Sequence, residues 1–105
     1  MIWGLDDHTI EKIRQVFKKF PQVKQVILYG SRAKGNFKPG SDIDLTIKGE
    51  GLTLSVMNEI GLMIDDLLLP YLFDISVFSH IKDPGLLEHI EQVGKVFYSK
   101  DNPAE

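Results

Sequence analysis

The chain has 105 residues, of which 43% are hydrophobic and 26% charged, and a formal net charge of −3. This size and composition favour one globular domain over residues 1–105 and exclude a disordered chain, and the charge is not that of a typical nucleic-acid-binding domain. Because the chain has no cysteine, no signal-peptide pattern and no membrane-length apolar run, we expect a cytoplasmic protein without disulfides or thiolate metal sites.

The first half of the chain alternates between helical and extended patterns. Apolar side chains recur on one stripe over Leu5–Phe20, which predicts a helix that an aspartate caps and Pro21 ends. The apolar run at residues 23–29 predicts a strand buried on both faces. A loop rich in glycine and basic residues occupies residues 30–40. Residues 42–48 then alternate strictly, which predicts a strand with one apolar and one polar face.

The second half continues the alternation. Residues 52–69 predict a long amphipathic helix that Pro70 closes, and residues 72–78 predict another alternating strand. An Asp-Pro pair opens a helix that ends at Gly94, and residues 95–99 predict a last short strand before a tail that frays from residue 100. The pattern predicts an α/β mixture, that is, an α+β fold with a small mixed β-sheet flanked by helices.

A glycine-serine turn directly after the first strand is the first feature that carries chemistry. Gly30 lets the backbone turn tightly and approach a ligand, and successive N–H groups there can bind an anion. Ser31 adds a hydroxyl, and Arg32 and Lys34 add positive charge. The same residues also suit an ordinary strand-to-helix turn.

Three aspartates on polar strand faces are the second feature. Asp42 and Asp44 are two residues apart, which places their Cα atoms about 6.7 Å apart on one face of a strand. Paired carboxylates there suit magnesium, although a solvated strand face would show the same spacing. Asp74 interrupts a later apolar strand, and three carboxylates meet if the two strands are neighbours. A hydrogen-bonded aspartate at a strand start is the alternative.

Together these residues form a family pattern. The run Gly30–Gly35, a short spacer and then Ser41–Leu45 resembles the nucleotidyltransferase superfamily that includes DNA polymerase beta. The chain looks most like the minimal nucleotidyltransferases (MNT), which consist of the catalytic core alone. The resemblance implies the polymerase-beta palm-like fold over the whole chain, with Asp74 as the third carboxylate of the family.

The resemblance also implies a role for each residue. Gly30 and Ser31 would hold the β- and γ-phosphates of a nucleoside triphosphate, with Arg32 and Lys34 beside them. The carboxylates of Asp42, Asp44 and Asp74 would bind two Mg²⁺ ions, and Asp74 would also help to activate the acceptor hydroxyl. Lys34 stands where the family often has arginine, so it keeps the charge but lacks the bidentate fork.

The activity implied by the family is transfer of a nucleoside monophosphate, most commonly AMP from ATP, to a hydroxyl group. MNT proteins are often antitoxins paired with a small all-helical HEPN toxin, which implies a protein acceptor. The alternatives are a non-catalytic binding module that neutralises such a partner by contact, a small-molecule modifier of the aminoglycoside nucleotidyltransferase type, and a calcium loop. The last lacks the closing glutamate of an EF-hand.

Two further sequence features bear on partners and ligands. Leu62 and Leu69 lie on the polar side of the predicted long helix, which suggests a contact surface for a partner or a homo-oligomer, although scattered exposed leucines are common. The histidines, His8, His80 and His89, show no metal-ligand spacing, and we expect them at the surface or partly buried.

Overall fold

The computed structural model describes residues 1–101, which form four α-helices and four β-strands. In chain order the elements are α1 (Asp7–Lys18), β1 (Val23–Tyr29), α2 (Gly30–Lys34), β2 (Ile43–Gly49), α3 (Leu54–Asp65), β3 (Phe73–Val77), a 3₁₀ turn (Phe78–His80), α4 (Pro84–Val93) and β4 (Lys95–Ser99). The predicted α+β fold is confirmed. No described helix is long and apolar enough to cross a membrane.

The four strands form one mixed sheet in the order β3-β2-β1-β4. Strand β1 runs antiparallel to both β2 and β4, whereas β2 and β3 are parallel and are joined through α3. Parallel neighbours need a crossover of this kind because the first strand ends at one end of the sheet and the second strand begins at the other. The arrangement makes β2 a central strand and β3 an edge strand.

The two faces of the sheet differ in how they are covered. Helices α1 and α3 cover one face, where the alternation predicted for β2 is confirmed because Ile43, Leu45 and Ile47 are fully buried. On the opposite face, a smaller cluster joins Ile27 and Ile90 of α4. Most polar side chains of β2 and β3 therefore point to the face that only α4 partly covers.

Local capping explains where the helices begin. The Asp6 carboxylate accepts a hydrogen bond from the Thr9 N–H at 2.7 Å, which caps α1. Asp83 accepts from the Gly85 N–H at 3.0 Å, and Pro84 follows as the first residue of α4. These side chains satisfy N–H groups that have no partner within the helix itself.

The long helix predicted at residues 52–69 is shorter in the structure. It begins at Leu54, where the Thr53 hydroxyl accepts a hydrogen bond from the Val56 N–H, and it ends at Asp65. Leu68 has a φ of 55°, in the left-handed region, so the helix stops before Pro70. The loop between α3 and β3 is correspondingly longer than predicted.

The predicted fraying from residue 100 is wrong for Lys100 itself. Its N–H donates to the Lys24 carbonyl at 2.9 Å, and its Nζ donates to the Pro21 carbonyl at 3.1 Å. The rest of the predicted tail, from residue 102 onward, lies outside the described residues.

Candidate active site

Neighbouring strands bring two of the three predicted carboxylates together. Asp44 of β2 and Asp74 of β3 are direct partners in the parallel register, so their side chains leave the same face of the sheet side by side. The condition on which the third carboxylate depended, adjacency of the two strands, is therefore met. Asp42 immediately precedes β2 and is exposed, two residues from Asp44.

The cluster formed by Asp42, Asp44 and Asp74, called the acid cluster below, has no neutralising partner. Among residues 1–101 no hydrogen bond or ion pair reaches any of its three carboxylates, and the salt bridge found there joins Lys24 to Glu50. Burial raises the pKa of the Asp44 carboxyl, and the charges of Asp74 and Asp42 raise it further, while His89 lowers it. Adjacent like charges of this kind favour a bound cation.

The donor set of the acid cluster fits magnesium. Within residues 1–101 no three acidic or histidine side chains lie close enough together for all of them to bind one metal ion. Magnesium does not need three such ligands, because it commonly takes one or two carboxylates and completes its octahedron with waters and substrate phosphates. Oxygen-only ligands on an open sheet face match that preference, so these aspartates are the residues that could hold the ion.

The backbone at Gly30 passes against Asp44. Gly30 has a φ of 76°, and a Cβ atom built on it would lie 2.2 Å from the Asp44 Oδ2 atom. A side chain there would be strained by the backbone conformation and would have to displace the Asp44 carboxylate. Tyr29, the residue before it, is the register partner of Asp44 across β1 and β2, so the turn and the acid cluster are neighbours.

The residues after Gly30 form the short helix α2. Ser31 is half-buried in its first turn, and Lys34 is exposed at its end. Gly35 follows as the C-cap with a φ of 94°. The structure thus turns part of the predicted loop into a helix whose beginning lies beside the acid cluster.

His89 is a residue of this region that the sequence did not single out for function. Its Nε2 atom accepts a hydrogen bond from the Gly30 N–H at 3.0 Å, and its ring meets the Tyr29 ring edge-on, with centroids 6.3 Å apart. Burial raises the pKa of the Tyr29 phenol, as do the nearby charges of Asp74 and Asp44. Since 59 positions separate His89 from Gly30, no local pattern could reveal the contact.

Arg32 is buried, whereas the nucleotide-binding role predicted from the sequence requires an exposed side chain. The side chain is 2% exposed, and its guanidinium donates to the carbonyls of Trp3 at 2.9 Å and Ser41 at 2.8 Å. The rings of Phe37 and Tyr71 flank it at 5.4 and 5.0 Å. A guanidinium enclosed in this way has no free surface for a phosphate, so Arg32 instead fixes the loop that leads to Asp42.

A separate cavity of about 320 Å³ lies farther along the same sheet face. It is mainly apolar and contains none of the predicted site residues; its lining comprises Ile27, Lys48, Phe78, Leu87, Ile90, Glu91 and Gly94. The chemistry-bearing residues therefore do not line this cavity.

Comparison with known protein families shows to which family the chain belongs. Residues 11–103 match the family model described as polymerase beta, nucleotidyltransferase. The chain belongs to this nucleotidyltransferase family. No curated protein matches its sequence. The acid cluster and the Gly30–Ser31 turn are thus the candidate active site of a nucleotidyltransferase domain.

Solved structures show the same nucleotidyltransferase fold at low sequence identity. A toxin–antitoxin structure with AMP-PNP has a TM-score of 0.67 and 19% identity, over 93% of this chain and 77% of that one. A Shewanella oneidensis complex of a tri-AMPylated HEPN toxin with MNT antitoxin has a TM-score of 0.67 and 16% identity, over 93% and 76%. The MntA–HepT toxin–antitoxin has a TM-score of 0.65 and 16% identity, over 92% and 75%.

Proposed function

We propose that residues 1–105 form a catalytic core that transfers a nucleoside monophosphate, AMP from ATP, to a hydroxyl group of a partner protein. The observation that carries the proposal is the pairing of Asp44 with Asp74, beside the Gly30 turn, in a member of the nucleotidyltransferase family. Three unneutralised carboxylates beside a turn with free donors suit a metal-bound triphosphate better than a neutral ligand.

The reaction joins the acceptor oxygen to the α-phosphorus. The acceptor oxygen attacks in line, the bond between the α-phosphorus and the bridging oxygen of the β-phosphate breaks, and pyrophosphate leaves. Asp74, on the edge strand, would take the acceptor proton. The remaining work of the protein is positioning and charge stabilisation, which supply most of the rate enhancement in phosphoryl-group chemistry.

Each group of the candidate site has a part in that positioning. Ser31 and Lys34 would bind the β- and γ-phosphates, and Asp42, Asp44 and Asp74 would hold Mg²⁺, in two sites if the family pattern applies. Bound Mg²⁺ supplies positive charge that neutralises the triphosphate and favours ionisation of the acceptor hydroxyl. Arg32 takes no direct part because it is enclosed by carbonyl groups and aromatic rings.

The choice of nucleotide and acceptor rests on the structural neighbours. One of them contains AMP-PNP and another contains a tri-AMPylated HEPN toxin. We therefore propose an adenine nucleotide and an all-helical HEPN-type partner, which this chain modifies as its antitoxin in the cytoplasm. The exposure of Asp42 and Asp74 supports a protein acceptor, because a bulky molecule can reach exposed side chains.

A labelling experiment tests the proposal. The tagged chain is purified from its native host with its co-eluting proteins and is incubated with Mg²⁺ and α-labelled ATP. We expect a co-eluting helical protein to take up label. Asp44→Asn should reduce the labelling rate about 10³-fold or more, since it removes a metal ligand and a transition-state charge.

Exposed Asp66 provides the matched control, because Asp66→Asn makes the same chemical change outside the acid cluster. A loss of less than tenfold for Asp44→Asn would exclude the proposed catalytic role. If a partner co-elutes stoichiometrically but remains unlabelled with each of the four nucleoside triphosphates, the chain is a binding module that neutralises its partner by contact.

A further inference from the structure

The contact between α4 and the Gly30 turn goes beyond the family pattern. His89 projects from α4 to accept the Gly30 N–H at its Nε2 atom, at 3.0 Å. This hydrogen bond requires an Nε2 atom that carries no proton, because only a nitrogen with a free lone pair can accept. The edge-on Tyr29 ring restricts the imidazole plane, with an interplanar angle of 80°. The histidine is therefore held in one orientation toward the turn.

The helix that begins at Gly30 lacks a cap of its own. It has five residues, and its N-cap residue, Tyr29, offers no side-chain hydrogen bond. The first N–H groups of any helix need partners from outside the helix. His89 supplies such a partner from a distant element and so does for Gly30 what a serine or aspartate N-cap does in an ordinary helix.

The same turn determines where Asp44 can lie. Gly30 approaches the Asp44 Oδ2 atom so closely that a Cβ would be 2.2 Å from it. The turn is thus wedged between the carboxylate on one side and the imidazole on the other. A shift of Gly30 toward the acid cluster would push Asp44 from its place, and a shift away would break the bond to His89.

Helix α4, which carries His89, packs against β1. Ile90, the next residue, is 5% exposed and packs in a cluster with Ile27 and Tyr29 of β1. At the end of the helix, a Cβ on Gly94 would lie 2.8 Å from the Ile27 side chain, so α4 and β1 are in close contact there. Because α4 is anchored to the strand that leads into the turn, His89 has little freedom to move away.

We propose that His89 is a positioning residue that holds the Gly30 N–H and thereby fixes the Gly30 turn against Asp44. The inference rests on the proposed nucleotidyltransferase function, because it assigns His89 a role in arranging that site. It also assigns the Gly30 N–H to the protein itself. The triphosphate is then left to the Ser31 hydroxyl, to the following N–H groups and to Lys34.

Amide hydrogen exchange in the nucleotide-free, metal-free protein tests the contact directly. In the wild type the Gly30 amide should be protected. In His89→Leu, which lacks the acceptor, it should exchange at least about tenfold faster, while the Val26 amide in the middle of β1 is unchanged. His89→Gln retains an acceptor oxygen on a side chain of similar reach and should restore most of the protection.

Activity and metal affinity measure the consequence for the site. We expect His89→Leu to lower kcat or Mg²⁺ affinity about 10- to 100-fold, the range found for residues that orient metal ligands. His89→Gln should recover at least half of that loss on a logarithmic scale. The exposed His80 provides the control, and His80→Leu should leave exchange and activity at wild-type levels.

The outcomes separate the two proposals. Equal Gly30 exchange in the wild type and in His89→Leu would refute the positioning role, whatever the enzymatic activity. Unchanged kcat and Mg²⁺ affinity in a His89→Leu protein with fast exchange would refute its importance for the site. A wild type that transfers no nucleotide but shows the exchange and Mg²⁺ differences would remove the proposed function and leave the arrangement by His89 intact.

Discussion

Arg32 lies in surroundings that its sequence context does not predict. Its position in a glycine-rich, basic stretch predicts a phosphate contact, yet the folded chain encloses it with two aromatic rings and the carbonyls of Trp3 and Ser41. The sequence pattern reports charge but not burial. Carbonyl groups from distant segments decide the outcome here, and no spacing in the chain encodes them.

Asp44 has a predictable effect on stability. Its folded-state pKa is raised above the ordinary value of 3.8, so its contribution to stability is full below that value and is lost as pH rises through the folded pKa. At neutral pH the ionised Asp44 therefore opposes folding of the metal-free protein. Asp44→Asn should raise the Tm at pH 7 and lose this advantage below about pH 4, as measured by thermal scans across pH.

Saturating Mg²⁺ should reverse the order of the two proteins. The wild type gains stability from an ion that binds only its folded state, whereas Asp44→Asn gains little. Asp66→Asn should follow the wild type in both conditions. An Asp44→Asn protein that is less stable than the wild type without metal would contradict the electrostatic strain assigned to Asp44.

Two glycines allow the effect of the close contact between Gly30 and Asp44 in the candidate active site to be separated from the effect of backbone conformation. Gly30 and Gly35 both have positive φ, but a Cβ on Gly35 would meet no atom within 4 Å. Gly35→Ala should therefore cost only the left-handed penalty, about 1 kcal/mol. Gly30→Ala should cost more than that and also abolish most transfer activity, because the new methyl group displaces the Asp44 carboxylate.

Urea unfolding and labelling rates of the two variants measure this difference. Equal losses of activity in both variants would mean that the contact between Gly30 and Asp44 has no catalytic importance.

At the scale of secondary-structure elements, periodicity predicted the existence of each strand and each long helix, but not every boundary. The alternation of β2 predicted its buried and polar faces, because the period of a strand is a local property. The segment after α3 contains Leu68 with a left-handed backbone, a conformation that leucine does not favour, so the sequence does not indicate where the helix ends. Strand order and the pairing of Asp44 with Asp74 depend on contacts between distant residues. From the sequence, the meeting of the carboxylates could therefore be predicted only on the assumption that the two strands are neighbours.

The beginning of α3 gives a prediction about an individual cap. Thr53 accepts the Val56 N–H at 3.2 Å, so Thr53→Ala should destabilise the fold by about 1 kcal/mol in urea unfolding. Thr53→Ser should retain most of the stability because the hydroxyl remains. Ser55 lies two residues after the N-cap and is not the capping residue, so Ser55→Ala should be neutral or slightly stabilising. A neutral Thr53→Ala would show that the cap contributes nothing.

At the scale of the whole molecule, one part of the chain lacks basic residues and carries several large exposed apolar side chains. No lysine or arginine occurs from residue 49 to residue 81, although five acidic residues do. The same part carries large exposed side chains: Leu54, Leu62, Leu68 and Leu72. Exposed leucines in a stretch that has acidic but no basic residues suit contact with a partner that contributes apolar and basic residues.

Leu62 tests whether this surface holds a partner. It is 65% exposed on α3, so Leu62→Lys should leave the fold and its Tm nearly unchanged. We expect the variant, purified from its native host, to show a lower assembly mass by light scattering. Gln92→Lys on the exposed side of α4 is the control and should keep the wild-type mass. An unchanged mass for Leu62→Lys would exclude Leu62 from the interface.

The edge position of β3 has a consequence for what the chain can modify. Asp74 lies on an edge strand and is exposed, so in the proposed reaction a bulky acceptor could reach it from the side of the sheet. Selectivity among acceptors would then have to arise from surface recognition outside the reacting groups. Recognition and chemistry would accordingly be separable by mutation, and a variant that binds a new protein could modify it without any change to the catalytic residues.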